Sequence, residues 1–158
     1  MYGLVGAAPE SEERIRSIKG RGEDKPFLQL LPDPSWVAKF SPLAMPANLR
    51  KYWPGPLTLV FPAHAGGTAA FRVPDSRFLQ ELLEAVSRPL YSTSVNRAGT
   101  APLRTVEEMR RQFEGDVDLI YDAGDIPPGP PSTMIDLSSR PYRVLREGAL
   151  VIPPDGLS

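Results

Sequence analysis

Three groups of polar side chains stand at the ends of predicted helices and strands, where α/β proteins commonly form their sites. The first is the pair Lys19 and Arg21, at the end of a predicted helix. An ammonium and a guanidinium this close together can bind phosphate or carboxylate. The same two charges can instead stabilise the negative end of the helix dipole without any ligand. Both interpretations stay open from the pair alone.

The second group consists of hydroxyl and amide side chains at and just after the end of a predicted strand, and its members are Ser92, Thr93, Ser94 and Asn96. Such residues commonly form only a turn, but they are also neutral donors and acceptors suited to a nucleotide or an amino acid. In the third group, Ser132 and Thr133 enter one predicted strand and Arg146 follows the end of the next. A solvated arginine at a strand end is the ordinary alternative to a binding role there.

The composition excludes several kinds of chemistry. The 158 residues include no cysteine and a single histidine, His64, which rules out disulfides, thiolates and Cys-ligated zinc or iron–sulfur centres. His64 lies in a glycine-rich loop without an obvious nucleophile beside it, so we expect it to be exposed. The aspartates between residues 116 and 136 are irregularly spaced, and we predict no metal ligands among them. Eighteen basic against 19 acidic side chains give a net charge of −1, which argues against nucleic-acid binding through bulk charge, although a local basic patch stays possible.

The hydrophobic pattern predicts an α/β domain around a mixed twisted sheet, because strands and helices alternate early and strands predominate late. No apolar run is long enough for a membrane span and no signal peptide is evident, so we expect a cytoplasmic protein without membrane contact. A capping box at Thr105–Glu108 should begin one helix, and Asp75 or Ser76 should cap another. Predicted helices cover residues 9–19, 35–40, 46–52 and the segments after these two caps, and predicted strands cover 27–31, 57–61, 69–73, 89–93, 117–121, 133–137 and 142–145.

Taken in order, the polar groups and the motifs around them resemble the YrdC-like family, which comprises the threonylcarbamoyl-AMP synthases and their relatives. The most specific parts are the block from Trp53 to Val60, the Lys19-x-Arg21 pair and the Ser94-x-Asn96 pair. The other matching motifs are Tyr2-Gly3-Leu4, Lys25-Pro26, Arg72-Val73-Pro74, Ser132-Thr133-Met134-Ile135-Asp136 and Leu145-Arg146-Glu147-Gly148. The resemblance implies a YrdC-like domain over residues 1–152 with a tail at 153–158. The implied fold is a twisted, open, mixed α/β sheet with flanking helices and a concave cavity.

The resemblance also implies a reaction. L-threonine, bicarbonate and ATP would form threonylcarbamoyl-AMP and pyrophosphate, with Mg²⁺ held mainly by the ATP oxygens, and a downstream tRNA-modifying transferase would use the product. Attack of a carbamate on the α-phosphate needs positioning and charge neutralisation more than a protein nucleophile. A site built from arginine, lysine and hydroxyl groups is consistent with that requirement.

Carried over position by position, the resemblance assigns roles to the polar residues. Lys19 and Arg21 would form the catalytic clamp. The ATP contacts would be Lys25, Thr58, Ser94, Asn96 and Arg146. The threonine or carbamate part would meet Tyr2, Arg72, Ser92 and Ser132.

The sequence departs from the family pattern at its start, where Met1 directly precedes Tyr2 and a strand with a Pro-Thr-x-Thr motif is usual. A shortened chain or a degenerate relative would each explain this. Ala98, Ala101 and Leu30 also stand where family members carry polar groups. Two alternative functions stay open: a double-stranded RNA-binding or ribosome-maturation protein, and a paralogue that uses another carbamoyl or carboxylate substrate, as in the carbamoyl-adenylate-forming domain of hydrogenase maturation proteins.

Overall fold

The computed structural model describes residues 2–20, 22, 26–124, 126 and 129–157. Within these residues the strands are β1 (Gly3–Ala7), β2 (Leu28–Leu30), β3 (Leu57–Pro62), β4 (Thr68–Arg72), β5 (Leu90–Ser94), β6 (Thr133–Asp136) and β7 (Arg143–Arg146). They form one seven-stranded sheet in the order β1-β5-β2-β4-β3-β6-β7. Strands β2 and β4 are parallel, as are β3 and β6, and the other neighbours are antiparallel. This is the predicted open, mixed sheet.

The helices begin and end where the sequence supplies caps. The Ser76 hydroxyl accepts from the Leu79 amide at the start of one helix, and Thr105 and Glu108 form the predicted capping box at the start of another. Gly20 ends the first helix with φ of 64°, a conformation that favours glycine. The α-helices are α1 (Glu12–Lys19), α2 (Ala47–Arg50), α3 (Arg77–Val86) and α4 (Val106–Phe113), and Pro34–Lys39 and Pro154–Leu157 are 3₁₀ helices.

The helices divide between the two faces of the sheet. On one face, α1 and α4 cover β1 and β5, where Leu4 and Tyr91 are buried. Further along that face a larger cluster, which includes Leu59 and Phe71, packs beneath α2 and the first 3₁₀ helix. On the opposite face, α3 covers Leu30 and Leu90. The rest of that opposite face carries both polar side chains, such as Thr58 and Arg72, and apolar ones, such as Met134.

Two elements differ from the sequence-based expectation. Strand β1 was not predicted, because Gly3 and Gly6 weaken its strand signal, and it forms through pairing with β5. The strand predicted at residues 117–121 is wrong, since these residues are irregular in the structure. Leu119 is 79% exposed, and the ring of Tyr121 stacks outside the core on Phe78. The apolar side chains of that segment therefore do not form a buried strand face.

Candidate functional site

Several predicted site residues lie on the face of the sheet that α3 only partly covers. Cross-strand partners point to the same face, and so do residues two apart along a strand. Thr58 on β3 is the partner of Met134 on β6, and Met134 is the partner of Arg146 on β7. Thr58 and Arg146 therefore point to the same side of three adjacent strands.

The same register places the residues of β4 and β5 on this face. Ser92 is paired with Leu28, and Leu28 is paired with Ala70. Arg72 lies two residues after Ala70, and Ser94 lies two residues after Ser92. Strand β4 pairs with β3 in a register that joins this set to the previous one. The members of the shared face are Thr58, Arg72, Ser92, Ser94 and Arg146.

An arginine–hydroxyl cluster, consisting of Thr58, Arg72, Ser132 and Arg146, forms at β3, β4, β6 and β7. The hydroxyls of Thr58 and Ser132 lie 2.7 Å apart. Arg146 donates from Nε to the Ser132 carbonyl and from Nη2 to the Ser132 hydroxyl, both at 3.0 Å. Thr58 is fully buried and Ser132 is 7% exposed, whereas Arg146 is exposed. The cluster thus connects a buried hydroxyl pair to a cation at the surface.

One hydroxyl proton of this cluster is available to a ligand. Each hydroxyl has one proton to donate and two lone pairs that can accept. The bond between Thr58 and Ser132 uses one of the two protons, whichever residue donates, and Arg146 uses a lone pair of Ser132. The second proton has no acceptor in the contacts of these two residues. Where Thr58 is the donor, this proton lies on Ser132, and an anion beside Ser132 would accept it and face the guanidinium groups as well; where Ser132 is the donor, the proton lies on the buried Thr58 hydroxyl.

Arg72 adds a second positive charge to the cluster. Its Nε donates to the Gly55 carbonyl at 2.8 Å, which fixes the side chain against the loop before β3. Burial lowers the pKa of Arg72, Asp75 opposes that change, and the positive charge of Arg146 lowers the pKa further. Guanidinium nonetheless remains protonated at neutral pH. Two arginines that repel each other beside a hydroxyl donor favour the binding of an anion, because a negative charge relieves the repulsion.

A second group, the lysine–asparagine group, consists of Lys19, Ser94 and Asn96. The Lys19 ammonium donates to the carbonyls of Ser94 and Asn96 at 2.6 and 3.0 Å, and to Asn96 Oδ1 at 2.9 Å. The Ser94 hydroxyl also donates to Asn96 Oδ1, at 2.6 Å. Lys19 is 4% exposed. Its ammonium therefore holds the chain after β5 in shape, and the described contacts connect it to protein oxygens.

Four other predicted site residues belong to neither of these two groups. Tyr2 packs against the apolar cluster under α1 and α4, and its hydroxyl donates to the Gly124 carbonyl. Arg21 and Lys25 lie outside the described residues. Ser92 is half-buried on the shared face, two residues before Ser94 on β5. Among the described residues, no hydrogen bond or ion pair joins Ser92 to the arginine–hydroxyl cluster.

Two glycines position the cluster and were not among the predicted site residues. A Cβ at Gly148 would lie 2.6 Å from the Ser132 carbonyl carbon, so the chain after Arg146 can pass this closely only with glycine there. A Cβ at Gly55 would lie 2.6 Å from the Tyr52 carbonyl oxygen. The available sequence signal was the occurrence of each glycine inside a family-like motif, next to a proline or a charged residue.

The rest of the described surface provides weaker candidates for a functional site. Two depressions, of about 570 and 220 Å³, lie beside α1 and α4 and contain none of the predicted site residues. In the described ranges no three His, Asp or Glu side chains group so as to hold a metal ion. Within the same ranges no helix is long and apolar enough to cross a membrane. His64 is exposed, as expected, and its backbone amide donates to the Phe40 carbonyl.

The fold and the polar face together define the class of protein. The chain belongs to the Sua5/YciO/YrdC family, whose family model, described as telomere recombination, matches residues 1–148. This confirms the resemblance that the sequence motifs indicated.

Individual relatives make the similarity more specific. The chain is 32% identical to the threonylcarbamoyl-AMP synthase of Pyrococcus abyssi over 95% of its own length and 48% of that protein's. It is 33% identical to the enzyme of the same name from Escherichia coli, over 69% of this chain and 66% of the relative. The chain thus spans about half the length of the first relative and 66% of the second.

Solved structures show the same similarity. The P. abyssi Sua5 complexed with L-threonine superposes with a TM-score of 0.83 at 29% identity, covering 94% of this chain and 48% of that one. E. coli YciO gives a TM-score of 0.82 at 27% identity, covering 97% of this chain and 81% of that one.

Proposed function

We propose that this chain is a threonylcarbamoyl-AMP synthase, which joins L-threonine, bicarbonate and ATP into threonylcarbamoyl-AMP and releases pyrophosphate. The observation that carries the proposal is the arginine–hydroxyl cluster, in which two guanidinium groups flank a hydroxyl pair with one proton to donate. The names of the relatives support threonylcarbamoyl-AMP as the product. Residues 1–152 are proposed as the catalytic domain and 153–158 as a tail.

The reaction needs charge neutralisation in two places, at the α-phosphoryl oxygens and at the leaving pyrophosphate. The threonine amine and bicarbonate form a carbamate with loss of water, and a carbamate oxygen then attacks the α-phosphorus of ATP. The bond from the α-phosphorus to the bridging oxygen breaks, and pyrophosphate leaves with that oxygen. Negative charge therefore gathers on the phosphoryl oxygens and on the leaving group. Fixed cations and hydroxyl donors lower the barrier by stabilising this charge.

The predicted site residues divide between the two substrates in this proposal. Arg146 and the Thr58 hydroxyl face the phosphates, and Arg72 and Ser132 face the carboxylate or carbamate. In full, the ATP contacts are Lys25, Thr58, Ser94, Asn96 and Arg146, the threonine or carbamate contacts are Tyr2, Arg72, Ser92 and Ser132, and the catalytic pair is Lys19 and Arg21. The buried position of Lys19 supports an action through the loop that holds Ser94 and Asn96.

Magnesium and the product's fate follow from the same chemistry. The arginine–hydroxyl cluster offers cations and hydroxyls, which suit phosphate oxygens and do not form a cage for a divalent ion. We therefore propose that Mg²⁺ arrives bound to ATP. A mixed carbamic–phosphoric anhydride is reactive, so a transferase that passes the threonylcarbamoyl group to tRNA adenosine is the proposed consumer.

Pyrophosphate release tests the proposal. Release by the wild-type chain should require ATP, L-threonine and bicarbonate together, and omission of any one should abolish it. Arg146→Met should lower the rate at least tenfold, since it removes the cation at the phosphates. Arg77→Met is the matched control, because Arg77 on α3 is 92% exposed and pairs only with its helix neighbour Glu81. Release with ATP alone, or full activity of Arg146→Met, would contradict the proposal.

A further inference from the structure

Arg97 follows the Ser94–Asn96 segment and lies between the ends of two helices. Its Nη1 donates to the Ile18 carbonyl in the last turn of α1, and its Nη2 donates to the Gln112 carbonyl in the last turn of α4 at 3.1 Å. Carbonyls in a last helical turn have no partner within the helix, and they form the negative end of the helix dipole. One guanidinium thus neutralises two helix ends.

Two further contacts fix the plane of this guanidinium. Nη2 forms an ion pair with Asp116 at 2.7 Å, just beyond α4. The central carbon lies 4.7 Å from the ring centre of Phe113, which is buried. Planar donors pointing in several directions and a flat face against a ring are properties of arginine, and the compact ammonium of lysine does not reproduce them.

The backbone beside Arg97 connects the same helix end to the chain after β5. The Ala98 amide donates to the Lys19 carbonyl at 2.6 Å, immediately after the Ile18 carbonyl that Arg97 holds. On the other side, the Lys19 ammonium donates to the carbonyls of Ser94 and Asn96. Residues before and after Arg97 in the chain therefore both bond to the end of α1.

We propose that Arg97 is a positioning residue for ATP binding, which holds the end of α1, the end of α4 and residues 94–98 as one rigid unit. The inference rests on the proposed function, which assigns ATP to Ser94 and Asn96, and it adds a residue whose side chain contacts helix ends. Without Arg97 the two helix ends lose their shared cation, and residues 94–98 spend part of the time in other arrangements. The apparent dissociation constant for ATP then rises by the inverse of the competent fraction.

Ligand binding to purified variants tests this role. Arg97→Met keeps the length of the side chain and removes its charge and donors. We expect its dissociation constant for ATP to rise about fivefold or more, while that for L-threonine changes less than about twofold. Arg97→Lys should recover part of the ATP affinity, because it restores the charge. Arg110→Met on the exposed side of α4 is the matched control and should bind ATP as the wild type does.

Two binding results would overturn the inference. One is an ATP dissociation constant of Arg97→Met within about twofold of the wild type. The other is equal weakening of ATP and threonine binding, because that result indicates general loss of structure. Thermal unfolding of each variant identifies the folded fraction before binding is measured.

Amide hydrogen exchange tests the positioning without any ligand. The Ala98 amide should exchange about tenfold faster in Arg97→Met, since local opening of residues 94–98 becomes easier. The Leu31 amide, which donates to the Arg72 carbonyl in the core, should be unchanged. Unchanged exchange at Ala98 would overturn the inference whatever the ligand. If the wild type binds no ATP while Ala98 exchange responds as expected, the proposed function fails and the positioning of residues 94–98 by Arg97 stands.

Discussion

Thr58 and Ser132 show how single side chains shape the site. A threonine in a buried strand and a serine at the start of another are ordinary residues, and neither has a charge. The sheet brings their hydroxyls within 2.7 Å, and Arg146 reaches the same hydroxyl from the surface. The hydroxyl pair thereby connects the guanidinium of Arg146 at the surface to the buried side chain of Thr58. This is why both residues belong to the site although only one of them can meet a ligand easily.

The hydroxyl of Thr58 should stabilise the fold through its hydrogen bond, beyond the space that it fills. Thr58→Val keeps the shape of the side chain but removes the bond to Ser132. We expect the free energy of unfolding to fall by about 1–2 kcal/mol, because a buried hydroxyl loses its partner. Denaturant unfolding measures this, and Thr58→Ser, which keeps the hydroxyl, is the control. Equal stability of Thr58→Val and the wild type would show that the bond contributes nothing.

Tyr91 gives a prediction about alkaline pH. Burial, followed by the hydrogen bond to Glu12, raises the pKa of Tyr91 to about 12. An unfolded tyrosine has a pKa of about 10. Between these values the folded chain keeps the proton and the unfolded chain loses it. The stability contribution is therefore fully present below about pH 10 and is lost as the pH rises towards 12.

The measurement compares stability against pH in the wild type and Tyr91→Phe. The wild type should lose stability more steeply than the variant over that alkaline interval. Glu12→Gln, which keeps a hydrogen-bonding group but removes the carboxylate charge, should lower the pKa of Tyr91 as seen in phenolate absorbance. Identical slopes in the wild type and Tyr91→Phe would contradict the assignment.

At the scale of elements, the contact between β1 and α1 depends on one glycine. A Cβ at Gly6 would lie 2.6 Å from the Ser11 Cβ and 3.0 Å from the Ile15 Cδ1. Gly6→Ala should therefore push α1 away from β1 and cost about 1–3 kcal/mol. Thermal or denaturant unfolding measures the loss.

Gly3→Ala on the same strand is the matched control. A Cβ there would meet the Ser92 hydroxyl and the Thr93 carbonyl at 3.7 Å, which is ordinary contact. We expect a change within about 0.5 kcal/mol. If Gly6→Ala is as stable as Gly3→Ala, the close approach of α1 does not limit this position.

Much of this element structure was predictable, and the exceptions have physical reasons. The capping box at Thr105 and the cap at Ser76 are local signals, and both are confirmed. Strand β1 depends on its partner β5, which local propensity does not reveal. The segment at 117–121 has strand-like composition, but its contacts are made at the surface, as in the ion pair from Asp118 to Arg14.

Only part of the candidate site's geometry was predictable from the sequence. Motif resemblance predicted the site residues, and strand register explains why Thr58, Arg72 and Arg146 share a face. The hydrogen bonds from Arg146 to Ser132 and the enclosure of Lys19 depend on side-chain geometry, so no spacing rule could supply them. The roles assigned to individual residues remain predictions for the variants described above.

At the scale of the whole molecule, charge argues against binding of duplex RNA. The net charge is −1, and arginines across the surface pair with carboxylates, among them Arg88 with Glu10 and Arg14 with Asp118. Phosphate-dominated binding needs several free cations on one surface. We therefore expect a dissociation constant for duplex RNA of ~10⁻⁴ M or weaker at physiological salt. Tighter binding that weakens steeply with added salt, measured by fluorescence anisotropy, would contradict this prediction.

The central claim is that this domain builds a threonylcarbamoyl adenylate, and carbon labelling tests it most directly. The chain is incubated with ATP, L-threonine and ¹³C-bicarbonate, and the products are separated and analysed by mass spectrometry. We predict an adenylate that contains threonine and one labelled carbon, formed in the same amount as pyrophosphate. Binding of ATP and threonine without any labelled adenylate, in the wild-type chain, would contradict the claim.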